Sequence, residues 1–286
     1  MPTSTTCPSF AVTGASGFLG RAVLRALVER GVDVVAITRE RRRLADFEGR
    51  ARIVEGDVSR PESKFRDIVL GQDVLLHLAW DGLPSYQSLH HFETELPKHF
   101  HFLKELVCSG LKTIVVAGTC FEYGMQNGEL SETLNCCPAN PYGFAKNALR
   151  RQLEFLQTHY SFNLTWARLF YMYGEEQSAK SIYGLLSAAM RRGDSHFDMS
   201  GGEQIRDYLH VNDVAASLIQ LSFLKQNLGV VNVCSGTPTS IRGLVESWLT
   251  KNEWKIELRL GRYPYPDYEP FAFWGNAQKL RSLLRT

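Results

Sequence analysis

The chain has 286 residues, 44% of them hydrophobic, and a formal net charge of +2. That length and composition allow one large α/β domain, with or without a small appendage. A charge this close to neutral, with no long basic face, disfavours a nucleic-acid partner.

Export and membrane insertion are not indicated either. No apolar run approaches the length of a membrane span, and the first nine residues lack the basic flank and apolar core of a signal peptide. The six cysteines show no C-x-x-C spacing, which favours reduced thiols and no bound metal. We therefore expect a cytoplasmic protein without a membrane partner.

Residues 10–39 combine two apolar runs with a glycine-rich turn and an amphipathic segment. The predicted order is strand, turn, helix and strand, which a dinucleotide-binding fingerprint requires. Gly14 permits the tight turn, Gly17 lets the backbone approach a pyrophosphate at the helix start, and Gly20 lets helix and strand pack closely. Outside this context such a triplet would be typical of an ordinary loop. Here it predicts a dinucleotide site.

The spacing of these glycines, G-x-x-G-x-x-G after Thr13, resembles that of the extended short-chain dehydrogenase/reductase family, whose members mostly act on nucleotide sugars. The resemblance implies an α/β fold with a doubly wound, Rossmann-like parallel sheet and a small discontinuous C-terminal substrate lobe. It assigns residues 1–174 to the NAD(P)-binding domain, with 211–235 returning to it, and residues 175–210 and 236–286 to the lobe. The cofactor-binding residues expected at the turn are Gly14, Ser16, Gly17, Phe18 and Leu19.

The second strand is predicted to end at Thr38, where NAD enzymes usually place a carboxylate for the ribose 2′-hydroxyl. Arg39 follows, and a guanidinium can pair bidentately with the 2′-phosphate of NADP. Thr38 and Arg39 are therefore predicted to contact the cofactor and to favour NADP(H). NAD(H) stays possible, because Glu40 could turn inward to the ribose. Residues 41–43 are expected to form a solvated basic face.

The third and fourth strands are followed by two further candidate cofactor segments. The family places an Asp-Val pair beside the adenine ring, and Asp57 and Val58 match it, although Asp57 could also cap a helix. Leu78, Ala79 and Trp80 lie where the family has H-x-A-A. We expect these three residues to line the cofactor, and the loop at residues 80–86, which begins with Trp80, to lie beside the nicotinamide and the sugar.

Histidines are concentrated after the fourth strand without a spacing diagnostic of metal ligands. We therefore expect a solvated helix face and no metal site at His90, His91, His99 and His101. His77, inside the fourth strand, is expected to be structural.

Three residues form the predicted catalytic centre. Thr119 lies in G-T-C-F-E-Y-G, which resembles the family's S-S-x-x-x-Y-G, and its hydroxyl can donate a hydrogen bond to a carbonyl oxygen. Tyr142 and Lys146 form a Y-x-x-x-K pair on one face of a helix. The ammonium should lower the pKa of the phenol from its usual ~10, so that Tyr142 can give or take a proton. The resemblance also assigns Tyr142 and Lys146 to the cofactor.

The substrate is expected to meet residues from several segments. Tyr171 stands where the family's R-x-x-N-x-Y-G has an Asn that touches substrate. Arg206 lies in a match to R-D-[FY]-[IL]-H-V-x-D-[VL]-A and is expected to bind the nucleotide diphosphate, with Arg262 as a second candidate. The other expected substrate contacts are Trp80, Thr119, Cys120, Phe121 and Tyr142. Residues interpreted as structural are Arg168, Asp207, His210 and Asp213.

Two reactions remain open. Family dehydratases carry T-[DS]-E in the catalytic segment, and Phe121 at the last position cannot do acid–base chemistry, so dehydration is rejected. The first candidate is NAD(P)H-dependent reduction of a nucleotide-linked 4-keto-6-deoxysugar, with Tyr142 as proton donor. A 4-epimerase with retained NAD is the alternative, and Arg39 favours the reductase because a reductase exchanges its cofactor each turnover. A non-catalytic dinucleotide-binding protein is least favoured. The family resemblance also implies a homodimer, formed through helices at residues 89–108 and 142–158.

Overall fold

The structure is a computed structural model that describes residues 7–60 and 63–284. The outermost residues of the predicted domains, and the first six residues considered for a signal peptide, lie outside the described residues. Within the described ranges, no helix has the length and apolar character needed to cross a membrane. All six cysteines are unpaired.

Strands and helices alternate through the first two thirds of the chain. In chain order, the described strands are β1 (Phe10–Thr13), β2 (Val34–Thr38), β3 (Arg52–Glu55), β4 (Val74–His77), β5 (Thr113–Thr119), β6 (Gly128–Leu130), β7 (Asn163–Leu169), β8 (Tyr171–Tyr173), β9 (His196–Asp198), β10 (Ile205–Arg206), β11 (Tyr208–His210), β12 (Gly229–Val233), β13 (Thr239–Ser240), β14 (Glu257–Arg259) and β15 (Phe273–Gly275). The described α-helices are α1 (Phe18–Glu29), α2 (Ser63–Leu70), α3 (Leu96–Cys108), α4 (Pro141–Gln157), α5 (Ile182–Arg192), α6 (Val211–Phe223), α7 (Ile241–Lys251) and α8 (Gln278–Leu284).

Seven of these strands form one parallel sheet in the order β12-β7-β5-β4-β1-β2-β3. The strands in its centre are short apolar runs because helices cover both faces. On one face α1 packs beside α6, with Val23, Leu27 and Leu218 in the core. On the other, α3 packs beside α4, with Leu103 and Leu149 fully buried. This is the doubly wound, Rossmann-like arrangement that the sequence predicts.

The order of the strands places the ligand-binding edge. β1 lies between β2 and β4, so the turn after β1 and the segments after β2 and β4 meet at one edge of the sheet. In open α/β sheets, ligands bind beyond the carboxyl ends of the strands. Phe170, whose N–H donates to the carbonyl oxygen of Val233, separates β7 from β8.

Residues of α5, α7, β9 and β14 form a smaller hydrophobic cluster around Trp248, Leu186 and Met199. Asp207 joins this cluster to the sheet. Its fully buried carboxylate accepts hydrogen bonds from the backbone N–H groups of Ser235, Gly236 and Gly275, at 2.7, 2.9 and 3.2 Å. The expected structural role of Asp207 agrees with these contacts. His210 caps the start of α6 through a bond from the Asn212 N–H.

Candidate active site

A cleft of about 210 Å³ opens where the segments after β1, β2, β3 and β4 meet. Ten predicted cofactor-binding residues form part of its wall: Gly14, Ser16, Gly17, Thr38, Arg39, Asp57, Val58, Leu78, Ala79 and Trp80. Phe18 and Leu19 lie in the first turn of α1, with side chains that pack against the core. Their backbone N–H groups at the helix start stay the predicted contacts to the cofactor. The wall also contains Arg43, Asp81, Lys98 and His99, which were not among the predicted cofactor-binding residues.

The turn at the base of the cleft fits a dinucleotide. Gly14 has a φ of +68°, and a Cβ there would lie 2.7 Å from the backbone nitrogen of Ala79. A Cβ on Gly20 would lie 2.1 Å from the carbonyl oxygen of Gly14, so helix and turn approach as closely as predicted. Gly17 precedes α1 without a side-chain cap, which leaves the first N–H groups of the helix available to an anion. The pyrophosphate of NAD(P) is such an anion.

The predicted catalytic residues come from β5 and α4. Thr119 is the last residue of β5, while Tyr142 and Lys146 lie in the first two turns of α4. The helix begins sharply because Asn140 caps it by accepting a bond from the Gly143 N–H, and Pro141 occupies its first position. Glycine at 143 is required for contact, since a Cβ would lie 2.5 Å from the carbonyl oxygen of Phe121. All three catalytic candidates are buried.

Lys146 is held between the sheet and an aromatic ring. Its Nζ donates a hydrogen bond to the carbonyl oxygen of Ala117 at 2.9 Å and lies 4.0 Å from the centre of the Trp80 ring. The same ring lies 6.2 Å from that of Tyr142, edge to face. Trp80 therefore touches both members of the Y-x-x-x-K pair and also lines the dinucleotide cleft.

The expected lowering of the tyrosine pKa is not what the structure produces. Burial raises the pKa of Tyr142, the neighbouring Tyr86 adds to the rise, and contact with Thr119 opposes it. Burial also lowers the pKa of Lys146 to about 7, against the attraction of Glu122 and Glu95. The sequence argument considered only the favourable ammonium, whereas desolvation of both side chains dominates here. Tyr142 is thus a phenol that keeps its proton at neutral pH.

Behind Thr119 lies an anchored helical turn at Cys120–Tyr123. The fully buried Glu122 accepts from the N–H of Thr119 at 2.8 Å and from the indole of Trp166, and pairs with Arg168 at 2.8 Å. Tyr123, also buried, donates its hydroxyl proton to Asn232 at 2.8 Å. A buried ion pair is costly to break from one side, so these bonds fix Thr119. Arg168 is structural, as interpreted from the sequence.

Histidines 91 and 99 contradict the prediction of a solvated helix face, because both are completely buried. Their ring nitrogens are satisfied internally. His99 bonds His77 at 2.8 Å and Glu95 at 3.1 Å, and His77 bonds the hydroxyl of Thr13 at 2.9 Å. Burial lowers the pKa of His99 to about 4, so it is neutral.

This buried chain supports Trp80. The indole stacks on the ring of His99 at 4.7 Å, and its N–H donates to His91 Nδ1 at 3.1 Å. His77 is structural and buried, as expected. In the described part of the chain, no cluster of three or more histidine, cysteine or acidic side chains could hold a metal ion.

The predicted substrate residues lie in different environments. Phe121 is partly exposed, and its ring lies 6.2 Å from that of Tyr142 and 6.4 Å from that of Tyr171. Cys120 is buried in a small core cluster with Tyr123. Arg262 is exposed, and its guanidinium pairs with no described residue.

Arg206 is buried and already paired. Its Nε and Nη2 lie 2.9 and 2.8 Å from Glu269, and Nη1 donates to the carbonyl oxygens of Ile205 and Phe271. Glu269 also accepts from the hydroxyl of Tyr171 at 2.6 Å. Binding of a diphosphate by Arg206 remains a prediction. In this geometry it requires the carboxylate of Glu269 to move away from the guanidinium.

Sequence reasoning missed Glu269, and it placed Asp81 and Tyr86 only as members of the loop at residues 80–86. The ring of Tyr86 lies 4.7 Å from that of Phe121 and 5.6 Å from that of Tyr142, so Tyr86 lies beside the predicted catalytic residues. Glu269 lies in an irregular segment outside any motif considered.

The sheet, the glycine turn and the buried Tyr142–Lys146 pair define a Rossmann-type dinucleotide-binding protein of the dehydrogenase/reductase class. Residues 10–234 match the model of the NAD dependent epimerase/dehydratase family, and the chain belongs to that family.

Individual relatives agree with this assignment. The chain is 32% identical over 266 residues to the dTDP-6-deoxy-L-talose 4-dehydrogenase (NAD(+)) of Aggregatibacter actinomycetemcomitans, covering 92% of this chain and 98% of that protein. It is 22% identical over 253 residues to the dTDP-4-dehydro-6-deoxyglucose reductase of Escherichia coli, covering 82% and 79%.

Among solved structures, the UDP-glucose-4-epimerase of Stenotrophomonas maltophila, with bound NAD and formylated UDP-arabinopyranose, superimposes with a TM-score of 0.85. The match covers 97% of this chain and 92% of that one at 18% identity. At that identity the likeness establishes the fold.

Proposed function

We propose that this chain is an NAD(P)H-dependent enzyme that reduces the 4-keto group of a nucleotide-linked 6-deoxysugar. The observation that carries the proposal is that Tyr142 and Lys146, both buried, contact Trp80, which lines the dinucleotide cleft, and that Thr119 contacts Tyr142. These are the groups that carbonyl reduction needs, and they lie beside the place where a hydride donor would bind.

The substrate class is supported by the two relatives named above. Both names refer to carbon 4 of a dTDP-linked 6-deoxyhexose, one for oxidation and the other for reduction. These are the same bond changes in opposite directions. Burial raises the pKa of Tyr142, so the phenol holds the proton that reduction of a ketone requires.

A bound nicotinamide dinucleotide would supply the hydride to carbon 4. Tyr142 donates its hydroxyl proton to the oxygen on that carbon, so the carbonyl becomes an alcohol. Thr119 donates a hydrogen bond to the same oxygen and stabilises the charge that develops there. Lys146, when charged, stabilises the phenolate that the proton transfer leaves on Tyr142. Phe121 offers no acid or base beside them, so water elimination is not proposed.

The alternative is a nucleotide-sugar 4-epimerase that retains NAD. It is favoured by the similarity to UDP-glucose 4-epimerases, in fold and in sequence. The same three residues could act in both directions on one sugar. A non-catalytic role is the least supported, because the catalytic set is complete and buried together.

Three narrower expectations from the sequence bear on this proposal. The preference for NADP(H) is not carried into it, because Asp81 already pairs with Arg39, the residue on which that preference depended. A homodimer through α3 and α4 is supported by exposed apolar side chains on α4 and just before α3: Phe144 and Phe155 are 52% and 63% exposed, and Leu89 is 53% exposed. A cytoplasmic location is consistent with six unpaired cysteines.

The test uses the purified chain with NADH or NADPH and dTDP-4-dehydro-6-deoxyglucose. We expect one reduced cofactor to be consumed for each sugar reduced, and deuterium from labelled cofactor to appear at carbon 4. The Tyr142→Phe variant is the control. Interconversion of UDP-glucose and UDP-galactose without net cofactor consumption would instead establish the epimerase, and an absence of both activities with bound cofactor would contradict the proposal.

A further inference from the structure

A bidentate ion pair spans the mouth of the dinucleotide cleft. Arg39 Nη1 and Nη2 lie 2.7 and 2.9 Å from the two carboxylate oxygens of Asp81. Arg39 directly follows β2, and Asp81 lies four residues beyond β4. These strands flank β1 in the sheet, so the pair bridges the segments on either side of the Gly14 turn. Both residues line the cleft.

The residues that sequence reasoning placed at the ribose are otherwise engaged. Thr38 is buried, and its hydroxyl bonds Ser16 and the carbonyl oxygen of Glu40. Glu40 does not turn inward, since its carboxylate binds Arg42 at 2.8 Å. The strand that usually supplies the acid for the 2′-hydroxyl therefore offers none to the cleft.

Among the residues that the structure describes, two carboxylates lie on the cleft wall, Asp57 and Asp81. Asp57 accepts a bond from the N–H of Ser59 at 2.8 Å, which holds it in a local turn. Asp81 instead occupies both arms of the Arg39 fork, with Lys98 3.4 Å away. The pair is partly exposed, with side chains 57% and 38% accessible, so its strength alone is modest. Its position at the rim gives it a larger effect on a charged ligand.

We propose that Asp81 sets the dinucleotide preference of this chain, in favour of NAD(H). A 2′-phosphate that approaches Arg39 must either displace Asp81 from the guanidinium or lie beside its negative charge. Both events weaken the binding of NADP(H). The 2′-hydroxyl of NAD(H) carries no charge and leaves the ion pair between Arg39 and Asp81 intact. The acidic residue that NAD enzymes place after the second strand is thus replaced by one from the segment after β4. This reverses the expectation that Arg39 alone favours NADP(H).

The inference rests on the cleft being the dinucleotide site of the proposed function, but not on the reaction. Its test is a set of dissociation constants for NADH and NADPH, measured by calorimetry on the full chain without sugar. The variants are Asp81→Asn, Asp81→Asn combined with Arg39→Ala, and Asp46→Asn. Asp46 is the matched control, because it is an exposed aspartate paired with Arg21 outside the cleft wall.

We expect the wild-type chain to bind NADH more tightly. Asp81→Asn should lower the dissociation constant for NADPH on the order of tenfold, as expected when a guanidinium gains a phosphate partner. The dissociation constant for NADH should stay within about twofold of the wild-type value. The added Arg39→Ala should cancel that gain, and higher salt should reduce it. Asp46→Asn should change neither constant. If Asp81→Asn does not fold, Asp81→Ser gives the same comparison.

Two results separate this inference from the proposed function. If NADPH binds more tightly than NADH to the wild-type chain, and Asp81→Asn leaves that ratio unchanged or weakens NADPH, the role of Asp81 is overturned while the reductase stands. If neither dinucleotide binds the wild-type chain, the cleft is not the cofactor site and both proposals fail.

Discussion

Replacing Trp80 with leucine should shift the pH dependence of reduction to lower pH. Lys146 Nζ lies 4.0 Å from the centre of the Trp80 ring, and burial lowers the pKa of Lys146 to about 7. A desolvated cation–π contact stabilises the ammonium by about 2 kcal/mol. Since about 1.36 kcal/mol corresponds to a tenfold change in a protonation equilibrium, loss of the ring should displace the titration of Lys146 by about 1–1.5 pH units.

The sign follows from the states that reduction requires. Tyr142 must be protonated and Lys146 charged, so kcat/KM is highest below the pKa of Lys146 and falls as pH rises through it. The assay is the initial rate of NAD(P)H oxidation at low substrate, across a pH range centred near neutrality. In Trp80→Leu the descending limb should lie at lower pH than in the wild type.

Trp80→Phe is the matched control. It keeps an aromatic face beside the ammonium, so its limb should lie between those of the wild type and Trp80→Leu. A fall in rate at every pH would not bear on the argument, because Trp80 also lines the cleft. A limb that stays in place, or moves to higher pH in the leucine variant, would show that the ring does not stabilise the charged lysine.

Three further predictions concern the catalytic and substrate residues. Tyr142→Phe should lower turnover by about 10²–10⁴-fold with dinucleotide affinity nearly unchanged, and near-normal turnover would exclude Tyr142 as the proton donor. Lys146→Met should abolish reduction yet raise the free energy of unfolding on the order of 1–3 kcal/mol below pH 7, where the chain otherwise buries a charge whose pKa is depressed. That gain should shrink as pH rises from about 7 towards the unfolded lysine pKa, and urea unfolding that shows no gain would contradict the burial argument. Arg206→Ala should weaken the binding of nucleoside diphosphates on the order of 1.5–3 kcal/mol and hardly affect the binding of the dinucleotide. Glu269→Gln is the control, because it keeps the guanidinium. Equal losses of binding for both ligands in Arg206→Ala, measured by calorimetry, would mean that Arg206 has a structural role.

The sheet and its glycine turn could be predicted because both produce local patterns in the sequence: short apolar runs at the strands, and a glycine at the turn. A strand such as β2 is apolar from Val34 to Ile37 because helices cover both of its faces. The position of Gly14 also needs no tertiary knowledge, since a positive φ in a strand-to-helix turn selects glycine wherever it occurs.

The partners of buried polar groups could not be predicted, because they are distant in the chain and produce no local sequence pattern. Arg206 meets Glu269 across 63 residues, and Arg39 meets Asp81 across 42. Hydrophobic periodicity reports how deeply a side chain lies, but not which distant group satisfies it. His99 shows the same limit, because a histidine on a mixed helix face suggests solvent until His77 and Glu95 are seen to complete its bonds.

The helical turn after β5 also bears on how readily this scaffold could change its chemistry. Glu122 and Tyr123 are committed to Arg168 and Asn232, and Cys120 to the core. Of the four residues of that turn, Phe121 alone directs its ring toward the catalytic residues, where it lies near the rings of Tyr86 and Tyr142. A substitution of the Phe121 side chain would thus change the group presented to a bound sugar, but not the cap at Thr119 or the buried ion pair of Glu122 and Arg168. Because the side chains that stabilise this turn are different from the one that faces the sugar, selection can vary Phe121 while the structure of the turn stays constant.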